Sequence, residues 1–373
     1  MRRRDFIAYG SAGVLSAALV NEHPENTAEA QVAAGFSFDL ELVEVFQEMI
    51  DGEVLFALAL RDQITRALRP ILNVVEGANV TFRITNRTRK ARRFALAGLA
   101  DDFFAPIPAG GSIQLQTIAN EAGTYCYLDN SEQAASRVAG FHGMMVIAPS
   151  DGKTPTGTRT PYNTPTAAQS MLFDALGTAR FPGEKWRPDL PSRTRTWVFN
   201  AIDPVLQQQL ELGREVDQTA FLRTFYPRYF TLNGLSGYDS AHDKDTVPRG
   251  YVGEPVLIRC INMGLCTHSP HIHGNHVFRL SSTSPAGGVV KNQSIPEVDT
   301  WMLGPLARVD VLLPFVRPDD IPEKAWPPKQ EKFPLKYPMH CHMEMSQTAR
   351  GGQYPQGMIT DWELLGDRRG GAL

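Results

Sequence analysis

The chain has 373 residues, 42% of them hydrophobic, and a formal net charge of −3. That length and apolar content suffice for two domains, each with a core of its own. A charge this close to neutral gives no general attraction to nucleic acid or to an anionic membrane surface, so neither is expected as a partner.

In chain order, the first signal is an export sequence over residues 1–30. Arg2-Arg3-Arg4 forms a basic start, Gly10 to Val20 an apolar run, and Ala28-Glu29-Ala30 a small-residue cleavage site. The apolar run is too short to span a bilayer. The paired arginines before Asp5-Phe6-Ile7 resemble a twin-arginine signal, which implies export of a folded chain to the periplasm or the cell exterior.

Short runs of aliphatic and β-branched residues bounded by Gly, Pro or Asn follow: Ile71 to Val75, Val80 to Thr85, Ser112 to Gln116 and Met144 to Ile147. The second half repeats the pattern at Pro255 to Arg259 and Val309 to Leu313. Such strands predict an all-β chain of antiparallel sandwiches, one over residues 36–149 and one over 194–365. Residues 150–193, rich in Pro, Thr and Gly, read as a connector draped over the domains. A brief helix is predicted at Asp203 to Leu210, with Pro204 in its first turn, and a Pro- and Lys-rich loop at Pro318 to Lys332. The two halves are expected to be distant copies of one plan.

Two short segments carry the chemistry: His268-Ser269-Pro270-His271-Ile272-His273 and Tyr337-Pro338-Met339-His340-Cys341-His342. They hold five of the nine histidines and one of the four cysteines. Alternate residues of a strand point to opposite faces, so His340 and His342 project one way and Cys341 the other. His271 and His273 repeat the spacing, and His268 is placed to swing toward Cys341. Thiolate with imidazole and a thioether is a ligand set that selects copper, and Met358, after Gly357, is the candidate thioether.

The order His-x-x-His-x-His, His-Cys-His and a loop ending Gly-Met resembles the C-terminal cupredoxin domain of the multicopper oxidases, the laccase-like enzymes. The resemblance implies two cupredoxin-like Greek-key β-sandwich domains and copper as cofactor. It makes His268, Cys341 and Met358 candidates for a mononuclear type 1 copper. His271, His273, His340 and His342 become candidates for a three-copper cluster that reduces dioxygen. Related two-domain enzymes assemble as trimers with that cluster between subunits.

The sequence also departs from the family. Ser346 stands where a second type 1 histidine is expected, which leaves Glu344, Gln347, a methionine, water or a distant histidine to complete the plane. Ala95, Ala97, Leu128 and Asn130 stand where the first domain would supply four cluster histidines. Identical subunits cannot repair that loss, because each lacks the same four; a companion subunit can. His142 is an auxiliary candidate whose ordinary alternative is a core or surface role. His276 is a candidate for orienting a ligand imidazole. Cys260 and Cys266 are near enough in sequence for a disulfide in an exported protein, and Cys126 reads as a buried thiol.

Two functions follow as expectations. One is a copper-dependent oxidoreductase, in which a phenol, a small amine or a reduced metal ion gives electrons at the Cys341 and His268 copper. These would pass through Cys341 to metal at His340 and His342, and there meet dioxygen. The other is a cupredoxin that binds or handles copper, or transfers electrons, without turnover.

Overall fold

The computed structural model describes residues 35–99, 106–132, 134–284, 287–329, 331–352 and 354–368. The predicted export signal lies outside them. Among the described residues, no helix is long and apolar enough to cross a membrane.

The apolar runs form strands because their side chains alternate between core and surface. β4 (Asn79–Asn86) buries every second residue: Val80, Phe82, Ile84 and Asn86. It joins β2 (Val54–Asp62), β1 (Phe36–Glu48) and β8 (Ser112–Ile118) in the order β2-β1-β4-β8. The facing sheet runs β3 (Leu72–Val75), β10 (His142–Ala148), β9 (Gly123–Leu128), β6 (Ala95–Ala97), and a small ribbon pairs β5 (Arg92–Arg93) with β7 (Pro106–Ile107).

The second domain repeats the plan. One sheet runs β12 (Tyr229–Leu232), β11 (Thr194–Ile202), β14 (Val256–Asn262), β20 (Arg308–Leu313), β16 (Val277–Arg279), β19 (Glu297–Val298). The other runs β13 (Arg249–Gly250), β22 (Ile359–Leu364), β21 (Leu335–Cys341), β15 (Pro270–Ile272), with β17 (Ser281–Thr283) and β18 (Val289–Lys291) as a ribbon.

The sheets are not purely antiparallel as expected. β1 lies parallel to β4, β3 to β10, β11 to β14 and β13 to β22. Hairpins supply only antiparallel neighbours, so each parallel pair marks a strand that returns from elsewhere in its domain. The predicted helix forms over Pro204–Glu211, with the Asp203 carboxylate accepting the Val205 N–H. The connector carries a helix at Ala167–Ala175, capped by Thr166.

The domains meet through apolar strands. Ile71, Cys126, Leu128, Met144 and Val146 of the first domain share one buried cluster with Val198, Ile261 and Met263 of the second. Beside it lies a buried polar junction. Asp310 on β20 accepts from Arg259 Nη1 at 2.8 Å, from Thr124 Oγ1 of the first domain at 2.5 Å, and from Tyr162 OH of the connector at 2.8 Å. One carboxylate thus ties three segments, and its partners compensate the cost of taking charge out of water.

Asp310→Ala leaves Arg259 buried without its counter-charge. It is expected to cost about 3–5 kcal/mol, against about 1.5–3 kcal/mol for Tyr162→Phe. Urea unfolding monitored by tryptophan fluorescence checks both; equal, small shifts in midpoint would show that the junction contributes little.

Candidate metal centre

The antiparallel pairing of β15 with β21 sets His271 directly opposite His340 and Pro270 opposite Cys341. Beyond the strand ends, His273 N–H donates to Pro338 O at 3.0 Å and His342 N–H to Ser269 O at 2.9 Å. Four imidazoles therefore share one face. Their ring centroids lie 4.7 Å apart for His271 and His273, 4.8 Å for His271 and His342, and 5.1 Å for both His273–His340 and His340–His342. One nitrogen from each of His271, His340 and His342 falls within 4.8 Å of the others, and His273 Nε2 lies 3.0 Å from His340 Nε2.

The surroundings orient these rings. His271 Nδ1 meets Thr300 Oγ1 at 2.8 Å, with Asp299 Oδ2 at 3.6 Å, which leaves Nε2 to the cluster. Trp362 Nε1 donates to the His273 carbonyl at 2.8 Å. Burial, followed by repulsion from neighbouring imidazoles, holds His271 and His273 below the usual histidine range; burial lowers His340 as well. These imidazoles therefore keep free lone pairs at neutral pH. Such a donor set fits zinc, copper, iron or nickel. His273 and His342 are exposed, so the cluster opens to solvent.

On the opposite face of β21 the structure brings His268, Cys341 and Met358 together, all fully buried. Cys341 Sγ lies 3.4 Å from His268 Nδ1 and accepts the Ser269 N–H at 3.4 Å. Met358 comes opposite Cys341, its carbonyl 3.4 Å from the Cys341 nitrogen. Gly357 allows that approach: a Cβ there would stand 2.1 Å from Ser346 O. Phe199 stacks on His268 with centroids 5.8 Å apart, and burial pushes that imidazole down to about 4. Asn262 shapes the loop that delivers His268, donating to Cys266 O at 2.7 Å and to Leu303 O at 2.9 Å. Asn262 and Thr300 carried no sequence signal, because each acts on a backbone or ring brought near only by the fold.

Of the residues considered for completing this second set, two donate hydrogen bonds to backbone carbonyls and one is exposed. Ser346 Oγ donates to Met343 O at 2.7 Å, Gln347 Nε2 donates to Cys341 O at 2.9 Å, and Glu344 is exposed. Two auxiliary candidates also stand apart. His142 is buried in the first domain with Nδ1 2.6 Å from Arg137 O, and burial pushes it down to about 3. His276 lies between Glu297 at 3.6 Å and Asp320 at 3.7 Å rather than against a cluster ring. Cys260 and Cys266 are both free thiols. Cys126 is free and buried.

The internal repeat shows what became of the equivalent positions in the first domain. β6 pairs with β9 as β15 pairs with β21, so Ala95 opposite Leu128 matches His271 opposite His340. The Asp129 nitrogen donates to Phe141 O, as Cys341 does to Met358 O. Counting along that register, Arg92, Asp129 and Phe141 occupy the places of His268, Cys341 and Met358. Arg92 and Asp129 are a buried ion pair at 3.5 Å, supported by Glu132 at 2.6 Å and Ser136 at 2.9 Å. Leu128 and Ala95 are committed to the apolar contact between domains. The described residues therefore gather four imidazoles at this face, not eight.

No sequence-family model matches the chain, and no curated protein matches it. Solved structures do. The multicopper oxidase mgLAC is 18% identical with a TM-score of 0.61, over 89% of this chain and 86% of that one. The blue copper oxidase from Nitrosomonas europaea is 17% identical at 0.61, over 88% and 86%. Copper nitrite reductase from the same organism is 14% identical at 0.54, over 88% and 93%. At such identities the likeness establishes the fold: two cupredoxin-like β-sandwich domains.

The lowered His268 gives the metal-free protein an acid sensitivity of defined sign. The unfolded chain takes up this proton near pH 6.5 and the folded chain only near 4, so stability falls as pH drops through that window. The loss is expected to approach about 3 kcal/mol below the window. Urea midpoints between pH 7 and pH 4 should therefore fall less steeply in His268→Leu than in the parent; parallel slopes would refute it.

Proposed function

We propose that the protein is an exported copper-dependent oxidoreductase, taking single electrons from a phenolic, amine or metal-ion donor and delivering them to dioxygen. The observation that carries this reading is the convergence of His271, His273, His340 and His342 on a solvent-open face. Copper is favoured among imidazole-binding metals because the similar folds belong to proteins named as copper oxidases and a copper nitrite reductase. Bound there, copper would supply one-electron redox chemistry.

The chain's own groups do the rest. Thr300 Oγ1 engages His271 Nδ1, which orients the ring and would leave its other nitrogen to face a bound ion. The exposed His273 and His342 leave an approach for a small oxidant. Reduction of one dioxygen to two waters consumes four electrons and four protons, so four donor molecules are needed per turnover.

A second reading is favoured by one specific observation. Ala95 and Leu128 are buried between domains, so among the described residues the first domain offers no histidines at the matching positions. On that reading the protein binds or handles copper, or transfers electrons, and turns over only with a companion subunit supplying the missing imidazoles.

Copper stoichiometry by elemental analysis, with oxygen uptake on a phenolic donor, separates the two. The first reading expects uptake that falls at least about 100-fold in the His340→Ala/His342→Ala double variant. Copper bound in normal amount without uptake would sink it and leave the second.

A further inference from the structure

The imidazole face explains half of what β21 presents; its other face has different chemistry. We propose that His268, Cys341 and Met358, with Cys266 alongside, form a soft-cation site that retains copper as Cu(I) and does not cycle to Cu(II). This does not depend on turnover at the imidazole cluster, because it concerns the opposite side of the same strand.

The donor set is the first ground. A thiol, a thioether and one imidazole lie together, and thiolate and thioether donors select Cu(I). A blue electron-transfer site is built from two imidazoles and a thiolate in a plane, with a distant methionine. Among the described residues His268 is the one imidazole placed beside Cys341, and Ser346 stands where a second would be. The Ser346 hydroxyl is held by Met343 O, the Gln347 amide by Cys341 O, and Glu344 faces solvent. A further thiol lies on the loop that leads to His268. Cys266, two residues before His268, is a free, half-buried thiol packed against the same apolar cluster as Cys341.

The charge balance is the second ground. Cu(I) displaces the Cys341 thiol proton to solvent, and the resulting thiolate with a monovalent ion and a neutral imidazole carries no net charge. Oxidation would leave a positive charge beside Phe199 and Phe230, at donors that are fully buried. Burying an uncompensated charge is costly, so these surroundings favour the reduced ion. The Ser269 N–H aimed at Sγ stabilises the thiolate without adding charge.

The test uses the full-length purified protein under argon, with Cu(I) delivered as its acetonitrile complex against the competitor bicinchoninate, and Ag(I) as a redox-inert probe. One Cu(I) is expected to resist the competitor and then ferricyanide, with no visible thiolate-to-copper band and no Cu(II) resonance from this site. Met358→Leu, which nearly conserves volume, is expected to weaken retention of both ions at least about 10-fold. Cys341→Ser is expected to abolish it, and His340→Ala/His342→Ala to leave it unchanged. An intense visible band on adding ferricyanide would overturn the proposal by showing an ordinary electron relay. Equal retention of Cu(I) and Ag(I) by parent and Met358→Leu would overturn it by showing that these side chains only pack.

Discussion

Both faces of the metal centre depend on one constraint, the period-two alternation of β21 in its present register. Because side chains alternate, a slip of one residue would turn Cys341 into solvent and bury His340 and His342. The register is held from both sides. Ile272 and Met339 are buried opposite one another in the pairing with β15, and Tyr337 stacks on its cross-strand partner Trp362 with centroids 4.6 Å apart. That stacked pair is the kind of contact that fixes strand pairing. Trp362 also grips the His273 carbonyl, so the same ring that sets the register positions a cluster residue.

The second organising feature is the asymmetry between the two copies of the fold. In the second domain the position under the closing strand carries His268, Cys341 and Met358; in the first it carries Arg92, Asp129 and Phe141. An ion pair is a stable substitute because Glu132, Ser136 and backbone N–H groups of Arg93 and Ser131 supply further hydrogen bonds to the buried charges. That place in the first domain is thereby filled by protein groups. Its sheet face is free to pack on the second domain, where Asp310 completes the junction.

Much of this was legible in the sequence, for a physical reason. Histidines two apart and a cysteine between them declare their faces through strand geometry, which is local, and the short apolar runs declare the strands. What was not legible is non-local. The parallel pairs β1–β4 and β11–β14 depend on chain returns that no short window encodes. Thr300, Asn262 and Asp310 work through partners 29, 41 and 186 residues away at His271, Leu303 and Thr124. Spacing alone raised a Cys260–Cys266 disulfide, yet Cys260 sits in the core and Cys266 on the loop leading to His268. That Arg92 and Asp129, in the places of His268 and Cys341, meet as a buried ion pair is visible only in the fold, since they lie 37 residues apart.

The exposure of His273 and His342 beside the complete burial of Cys341 also sets two clocks. An ion held by the imidazoles meets solvent directly, so a competing chelator or a second protein can take it by stepwise ligand exchange while the fold stays intact. An ion behind Cys341 would have no such path, because His268, Cys341 and Met358 are fully buried; it would leave only by local opening, at a frequency set by the local stability around it. Two cations bound a residue apart on one strand would thus differ in residence time by the cost of that opening, whatever their affinities.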